Sequence, residues 1–145
     1  MATSLFFEIP ESSRKAFAQA DSLSEWYEAV QTAAGNHAPK FDGQDSAVAW
    51  QYSLQASGLQ TAVGQLFVGE FRSGVEASAD PAVVFLGALS VNAIASDLRE
   101  RGKAFFRKML AEQSHEADVW MYQPLLSFME QAANRRSAVV VLWGT

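Results

Sequence analysis

The spacing of apolar residues predicts a helix between Ser22 and Gly35. Within this stretch the apolar side chains lie three or four positions apart, which places them on one face of a helix. Ser22 and Glu25 form a capping box, in which each side chain can accept a hydrogen bond from the backbone N–H of the other residue. Gly35 is placed to end the helix.

Two short apolar runs predict buried strands. One covers residues 82–86 and the other residues 138–143, and every position in both is apolar, which is typical of a strand covered on both faces. Apolar residues alternate over residues 5–9, which predicts a third strand ended by Pro10. We therefore expect one helix-rich α+β domain over residues 1–145. Its small sheet should include the N-terminal and C-terminal strands, with the C-terminal strand at the centre.

Cap signals predict two further helices. Asp45 is a candidate N-cap for a helix that ends at Gly58. Ser90 is the clearest helix start in the chain, because as an N-cap it would allow Leu89 before it to pack on Ile94 as a hydrophobic staple.

The remaining helical pattern is interrupted in two ways. Gly102 either ends the helix that follows Ser90 or loosens it before the apolar spacing resumes. A long helix follows Asp118, with Pro124 in its first turn or at a kink and Asn134 as a left-handed stop.

Three stretches lack a strong period. Residues 35–45 are predicted as a loop, residues 77–81 as a turn, and residues 65–68 as a strand or the edge of a helix.

Composition and charge exclude some functions. The chain has no cysteine, which excludes disulfides, thiolate metal sites and thiol nucleophiles. Residues 1–80 carry ten acidic and four basic side chains, while residues 81–145 carry six acidic and seven basic ones. Such a balance argues against nucleic-acid binding and suits a basic protein partner, although it also serves solubility. With no signal-peptide pattern and no long apolar run, we expect a cytoplasmic protein that does not contact membranes.

Candidate catalytic and metal sites are sparse. His37 lies in a loop, and His115 precedes two carboxylates, so neither is accompanied by a full set of zinc ligands. Serines and histidines are present, but no Gly-x-Ser-x-Gly elbow positions a nucleophile. The basic residues of 99–108 fit an exposed helix face better than an anion-binding patch. We therefore expect no catalytic residues, no metal and no cofactor.

Aromatic and acidic residues are the candidates for partner binding. Trp120 and Tyr122 would be binding anchors if exposed and ordinary core residues if buried. Acidic side chains would supply complementary charge to a basic partner. The candidate partner-binding residues are Glu25, Glu28, Asp42, Asp45, Trp120 and Tyr122.

From Trp50 onward the order of elements resembles the YfbM-like family, a group of bacterial proteins of unknown function. The resemblance covers about two thirds of the chain and rests on residues 49–54 with Gly58, 66–70, 85–90, 93–95 with Leu98, 125–133 and 138–142. It implies an α+β fold and supplies no catalytic residues. The family's Ile-Tyr-Pro-like segment is replaced here by Val119-Trp120-Met121-Tyr122-Gln123-Pro124, which departs from the pattern.

Three functional hypotheses follow. The first is a non-enzymatic bacterial protein-interaction domain, for example an immunity protein that binds and neutralises a cognate toxin. The second is a small-molecule-binding protein or hydrolase with a pocket near His37, Trp50 and His115. The third is a homodimeric scaffold.

Overall fold

The computed structural model describes residues 4–73 and 82–143. The predicted turn at residues 77–81 lies outside them. The strands are β1 (Ser4–Ile9), β2 (Lys40–Asp42), β3 (Phe71–Arg72), β4 (Ala82–Leu86) and β5 (Ala138–Trp143). The α-helices are α1 (Arg14–Gln19), α2 (Leu23–Ala34), α3 (Ser46–Ser57), α4 (Ala88–Glu112) and α5 (Tyr122–Asn134). Short 3-10 helices cover Glu11–Ser13, Ala62–Gln65 and Glu116–Met121.

The strands form one five-stranded sheet in the order β2-β1-β5-β4-β3. Every neighbouring pair is antiparallel, and Val141 of β5 pairs with Phe6 on one side and with Val84 on the other. The predictions that the terminal strands share a sheet and that β5 is central are confirmed. A central strand needs apolar residues on both faces, and this explains the unbroken apolar run of β5.

Helices cover both faces of the sheet, so the protein has two hydrophobic clusters. Val139 and Val141 of β5 point to the larger cluster, which contains buried residues of α3, α4 and α5. Ala138 and Val140 point to the smaller cluster, which contains Phe17 of α1 and buried residues of α2. In the described residues no helix is long and apolar enough to cross a bilayer.

The predicted ends of α2 and α3 are largely confirmed. The Ser22 hydroxyl accepts from the Glu25 N–H at 3.2 Å, while the Glu25 carboxylate accepts from the N–H of Asp21, one residue earlier than in the usual capping box. Gly35 and Gly58 end the two helices at positive φ, as expected. Asp45 precedes α3 but its side chain makes no cap hydrogen bond.

The predicted start of α4 is wrong. Gly87 is the N-cap and α4 begins at Ala88, directly after β4, so Ser90 lies inside the helix. Leu89 is 86% exposed and therefore does not pack on Ile94 as a staple. The Ser90 hydroxyl donates to the Glu70 carboxylate at 3.0 Å, which places a negative charge from another element at the positive end of the helix dipole.

Other local predictions are refined by the structure. Gly102 has non-helical angles, φ 80° and ψ 165°, and divides α4 into two helical segments that meet at a kink. The left-handed residue after α5 is Arg136, with φ 55°, whereas Asn134 is still helical. Pro124 lies in the first turn of α5, as predicted. The loop at 35–45 contains β2, and residues 65–68 form no strand.

Candidate functional site

Exposed aromatic residues lie where the segment 115–120 runs along α3 in the opposite direction. At one end the His115 ring contacts the Tyr52 ring edge to face, with centroids 6.1 Å apart. At the other end the Trp120 indole N–H donates to the hydroxyl of Ser46, the first residue of α3, at 2.7 Å. Tyr52 and Trp120 are 53% and 41% exposed. We call this region the α3 surface; it comprises Val48, Tyr52, His115 and Trp120 with the acidic residues Asp42, Asp45 and Glu116.

Partly buried hydrogen bonds fix the α3 surface in place. The Ser46 hydroxyl donates to the Asp118 carboxylate at 2.7 Å while accepting from Trp120. The indole of Trp50, which is fully buried, donates to the backbone oxygen of Asp118 at 2.8 Å. The hydrogen bond at its N–H holds the exposed Trp120 indole in one orientation, so little side-chain conformational entropy is lost when a partner binds it.

The same residues do not form a catalytic triad. In a triad the imidazole lies between the serine and the carboxylate, so that it can take the hydroxyl proton. Here Asp118 lies between the other two groups, because Ser46 donates to one carboxylate oxygen and His115 Nδ1 is 3.9 Å from the other. The serine therefore has a hydrogen-bond acceptor in place of a general base.

The predicted pocket near His37, Trp50 and His115 is not formed by these three residues. Trp50 has no exposed surface with which to line an open pocket, and His37 is exposed in the turn after α2. In residues 4–73 and 82–143 no three His, Asp or Glu side chains gather as metal ligands.

The structure separates the predicted anchors Trp120 and Tyr122. Trp120 is exposed at the end of a 3-10 helix, but Tyr122 begins α5 and is only 4% exposed. The Tyr122 hydroxyl donates to the Leu98 carbonyl at 2.7 Å. Burial raises the pKa of this hydroxyl, and the positive charge of Arg99 offsets part of the rise. Tyr122 is thus a core residue, which is the alternative expected for a buried side chain, and it offers a partner little surface.

The four predicted acidic residues do not form one cluster. Glu25 and Glu28 line a shallow groove of about 250 Å³ between α1 and α2. Asp42 ends β2, where its carboxylate accepts from the Gln44 N–H at 2.8 Å, and Asp45 precedes α3. Because α2 and α3 pack on opposite faces of the sheet, only Asp42 and Asp45 belong to the α3 surface.

The basic run on α4 is partly neutralised. Arg99 forms an ion pair with Glu130 of α5, and Arg101 donates to Asp97 at 2.8 Å. The other three basic residues, Lys103, Arg107 and Lys108, are exposed. This supports the prediction of an exposed helix face over that of an anion-binding patch.

A cleft that the sequence did not predict lies between the C-terminal half of α3, the segment 58–68 and β3. Its volume is about 200 Å³, and Arg72 and Gln51 line it together with apolar side chains. The Arg72 guanidinium Nη1 donates to the Phe67 carbonyl at 3.3 Å. Burial lowers the pKa of Arg72, because the charged form loses part of its hydration.

Asp97 of α4 holds one wall of this cleft. Its carboxylate accepts from the Thr61 hydroxyl at 2.6 Å, from the Val63 N–H at 2.9 Å and from Arg101 Nε at 2.8 Å. Burial of Asp97 raises its pKa, but these three hydrogen bonds favour the carboxylate more strongly, so the net pKa is lowered. The segment 58–68 is therefore tied to α4 through a charged group.

Comparison with known proteins identifies the fold. No family model and no curated protein matches the sequence. The structure is similar to the crystal structure of YfbM, a protein of unknown function from Escherichia coli, with a TM-score of 0.67 and 11% sequence identity. The similarity covers 97% of this chain and 99% of YfbM. It confirms the fold implied by the sequence resemblance and extends it to the N-terminal third of the chain.

Proposed function

We propose that the chain is a protein-interaction domain whose α3 surface binds a basic protein. The observation that carries this proposal is Trp120, a large aromatic side chain that is fixed by a hydrogen bond and yet 41% exposed. Tryptophan and tyrosine dominate the binding energy of protein interfaces, and Tyr52 lies along the same seam.

Charge supports a basic partner. Asp42, Asp45 and Glu116 are exposed around the two aromatic residues, and the chain carries a net charge of −5. Acidic residues around an aromatic anchor would speed the encounter with a basic protein and disfavour acidic ones. Among partners of this kind we favour a toxin that the chain neutralises by covering it, as a bacterial immunity protein would in the cytoplasm.

A hydrolase is not proposed. In a hydrolytic triad the histidine lies next to the serine and acts as its base. Here Asp118 lies between Ser46 and His115, so the imidazole is not placed to take the serine proton.

The test uses the full chain as bait and compares variants against each captured protein. Each captured protein is purified, and its affinity is measured by calorimetry for the wild type, Trp120→Ala, Tyr52→Ala and the control Tyr27→Ala. Tyr27 is also exposed but lies on α2, on the other side of the sheet. We expect the first two variants to weaken binding by about tenfold or more and the control to change it by less than about threefold.

Two further results decide the proposal. Affinity should fall as salt is raised, because the acidic residues contribute through screened charges. A bound protein that is insensitive to both Trp120→Ala and Tyr52→Ala would refute the α3 surface as the binding site. Light scattering of the chain alone distinguishes this proposal from a homodimeric scaffold, which would self-associate.

A further inference from the structure

The edge of the sheet beside Trp120 carries backbone groups without a partner strand. β2 is the first strand in the order β2-β1-β5-β4-β3, so among the described strands it pairs on one side only, with β1. We propose that a basic protein binds this edge with an extended segment, which adds an antiparallel strand to β2. This inference rests on the proposed function, because it specifies which part of a basic partner the α3 surface would receive.

The register of β1 and β2 shows which backbone groups face outward. The Gly43 N–H donates to the Ser4 carbonyl of β1 at 2.9 Å, so Gly43 faces β1. Backbone groups alternate sides along a strand, so those of Phe41 also face β1. The N–H and C=O of Lys40 and Asp42 therefore face away from β1. Across residues 4–73 and 82–143, no hydrogen bond is made to these four groups.

The aromatic part of the α3 surface lies directly beside this edge. Phe41 of β2 packs against the larger hydrophobic cluster, and its ring contacts the exposed Trp120 ring, with centroids 6.5 Å apart. In an added strand, the residue opposite Phe41 would form a pair without hydrogen bonds, in which side chains approach most closely. An apolar residue at that position would therefore pack on both Phe41 and Trp120.

Charges at the edge select the neighbouring residues of the segment. Lys40 and Asp42 are exposed, and their side chains project from the face of β2 opposite to that of Phe41. A basic residue opposite Asp42 would be attracted, whereas one opposite Lys40 would be repelled. The segment should therefore present a basic, an apolar and an uncharged residue in that order. Asp42, Asp45 and Glu116 pair with no cation in the part of the chain that the structure describes.

Net charge favours a basic segment over a second copy of this chain. Two copies that each carry a net charge of −5 repel one another, whereas a basic protein is attracted. A short edge strand with charged side chains also disfavours pairing with any strand that lacks complementary charges.

The edge is held in place before a partner arrives. A Cβ at Gly43 would lie 2.7 Å from Ser4 Oγ, which shows how closely the end of β2 approaches β1. The Asp42 carboxylate accepts from the Gln44 N–H at 2.8 Å and fixes the turn after β2. Strand addition would therefore order the incoming segment without having to order the edge.

The test is a titration of the full chain with a synthetic peptide, acetyl-Arg-Thr-Arg-Leu-Thr-Val-Gly-amide, followed by nuclear magnetic resonance at low salt. Its central Arg-Leu-Thr matches Asp42, Phe41 and Lys40 in antiparallel order. A new hydrogen bond moves an amide proton downfield. We therefore expect larger downfield shifts at Lys40 and Asp42 than at Phe41, whose N–H already faces β1.

Methylation of the peptide backbone separates strand pairing from side-chain binding. N-methylation of the central arginine, or of the threonine after the leucine, removes an N–H that would face β2. N-methylation of the leucine removes one that would face solvent. The first two changes should each weaken binding by about fivefold or more, and the third by less than about twofold. A peptide with glutamate in place of both arginines should bind more weakly by about tenfold or more.

Variants of the chain locate the site. Lys40→Pro removes an outward N–H that β1 does not use, and Lys40→Ala removes the side chain alone. Lys40→Pro should weaken peptide binding about fivefold more than Lys40→Ala does. Asp42→Asn should weaken binding by about threefold or more, whereas the same change at Asp21, which is exposed before α2, should alter it by less than about twofold. If Lys40→Pro fails to fold, the N-methylated peptides decide the question.

Three outcomes would overturn the inference. The first is no saturable binding of the peptide, and the second is an equal effect of N-methylation at the central arginine and at the leucine. The third is protection of the Lys40 and Asp42 amides from hydrogen exchange in the chain alone that is lost on dilution, because a second copy would then occupy the edge.

A captured basic protein distinguishes failure of this inference from failure of the proposed function. A protein that loses affinity in Trp120→Ala and Tyr52→Ala, but binds Lys40→Pro and Lys40→Ala equally, would support the α3 surface and overturn strand addition. A protein insensitive to Trp120→Ala and Tyr52→Ala would refute the proposed function, while the amide shifts of Lys40 and Asp42 in the peptide titration would still decide strand addition.

Discussion

Asp97→Asn is expected to destabilise the protein and loosen the wall of the Arg72 cleft. Asp97 is a good position for this test because one carboxylate accepts three hydrogen bonds from two separate elements. Asparagine keeps the shape of the side chain but turns one acceptor oxygen into an NH₂ group. In either orientation of the amide, a donor then faces the N–H of Val63 or of Arg101.

The expected magnitude follows from these bonds. Hydrogen bonds to charged groups contribute ~1.5–3 kcal/mol, and a donor left without an acceptor costs a similar amount. Asp97 keeps a small exposed fraction, 13% of its side chain, so water compensates part of the loss. We therefore expect a loss of about 2–3 kcal/mol in the free energy of unfolding at neutral pH.

Urea unfolding measures this loss, with Glu100→Gln as the control. Glu100 is exposed on the same helix, and its substitution should change stability by less than ~0.5 kcal/mol. Hydrogen exchange of the Val63 amide should accelerate in Asp97→Asn, because its acceptor is lost.

The pH dependence gives a second measurement. The pKa of Asp97 is lowered in the folded state, so its carboxylate stabilises the fold above the ordinary Asp pKa of 3.8. This contribution is lost as the pH falls through the lower, folded value. The stability gap between the wild type and Asp97→Asn should therefore narrow below about pH 4. A gap equal to that of Glu100→Gln, or one that does not change in acid, would refute the role assigned to Asp97.

Three further predictions concern other single positions. Tyr122→Phe should cost about 1–2 kcal/mol in urea unfolding because it removes a buried hydrogen bond, whereas an unchanged stability would contradict its burial. Gly64→Ala should lower the midpoint of urea unfolding, since the methyl group overlaps the Leu59 carbonyl. Glu70→Gln should lower the free energy of unfolding by up to about 1 kcal/mol at pH 7. The hydrogen bond from Arg14 is the main cause of the lowered pKa of Glu70, so acid that protonates this carboxylate should remove the difference between wild type and variant.

The sheet was predictable because its signals are local. A central strand must be apolar on both faces, and β5 shows this along its whole length. The helix periods of α2 and α5 were equally clear, since each element repeats its buried positions turn after turn. Such patterns can be recognised from neighbouring positions in the sequence alone, without knowing which distant residues they contact in the fold.

The start of α4 was mispredicted because Ser90 bonds to Glu70, a residue distant in the sequence, and does not cap the helix. Ser90 has the residue type and the spacing of an N-cap, and nothing nearby in the sequence contradicts that assignment. In the folded protein the Glu70 carboxylate lies at this helix end and accepts from the Ser90 hydroxyl, and a tight connection from β4 lets Gly87 take the cap position.

Trp120 and Tyr122 show a second limit of sequence patterns. They are two residues apart and chemically similar, yet one is exposed and the other buried. A 3-10 helix ends and α5 begins between them, which changes the rotation per residue from about 120° to about 100° at that point. Nothing in the amino-acid composition marks this change. The sequence could therefore identify Trp120 and Tyr122 as candidates but could not tell which of them is exposed.

The cleft was hidden for a related reason. One wall belongs to α3, but the others belong to residues 58–72, which have no period and which are held by hydrogen bonds to residues far along the chain. Asp97 is 34 residues from Val63 and fixes it by one hydrogen bond. A helix or strand makes the same kind of contact at regular intervals along the sequence, whereas the wall of a cleft depends on individual contacts that do not recur. Sites of this kind therefore appear only when the three-dimensional contacts are known, even in a chain whose fold can be predicted from its apolar pattern.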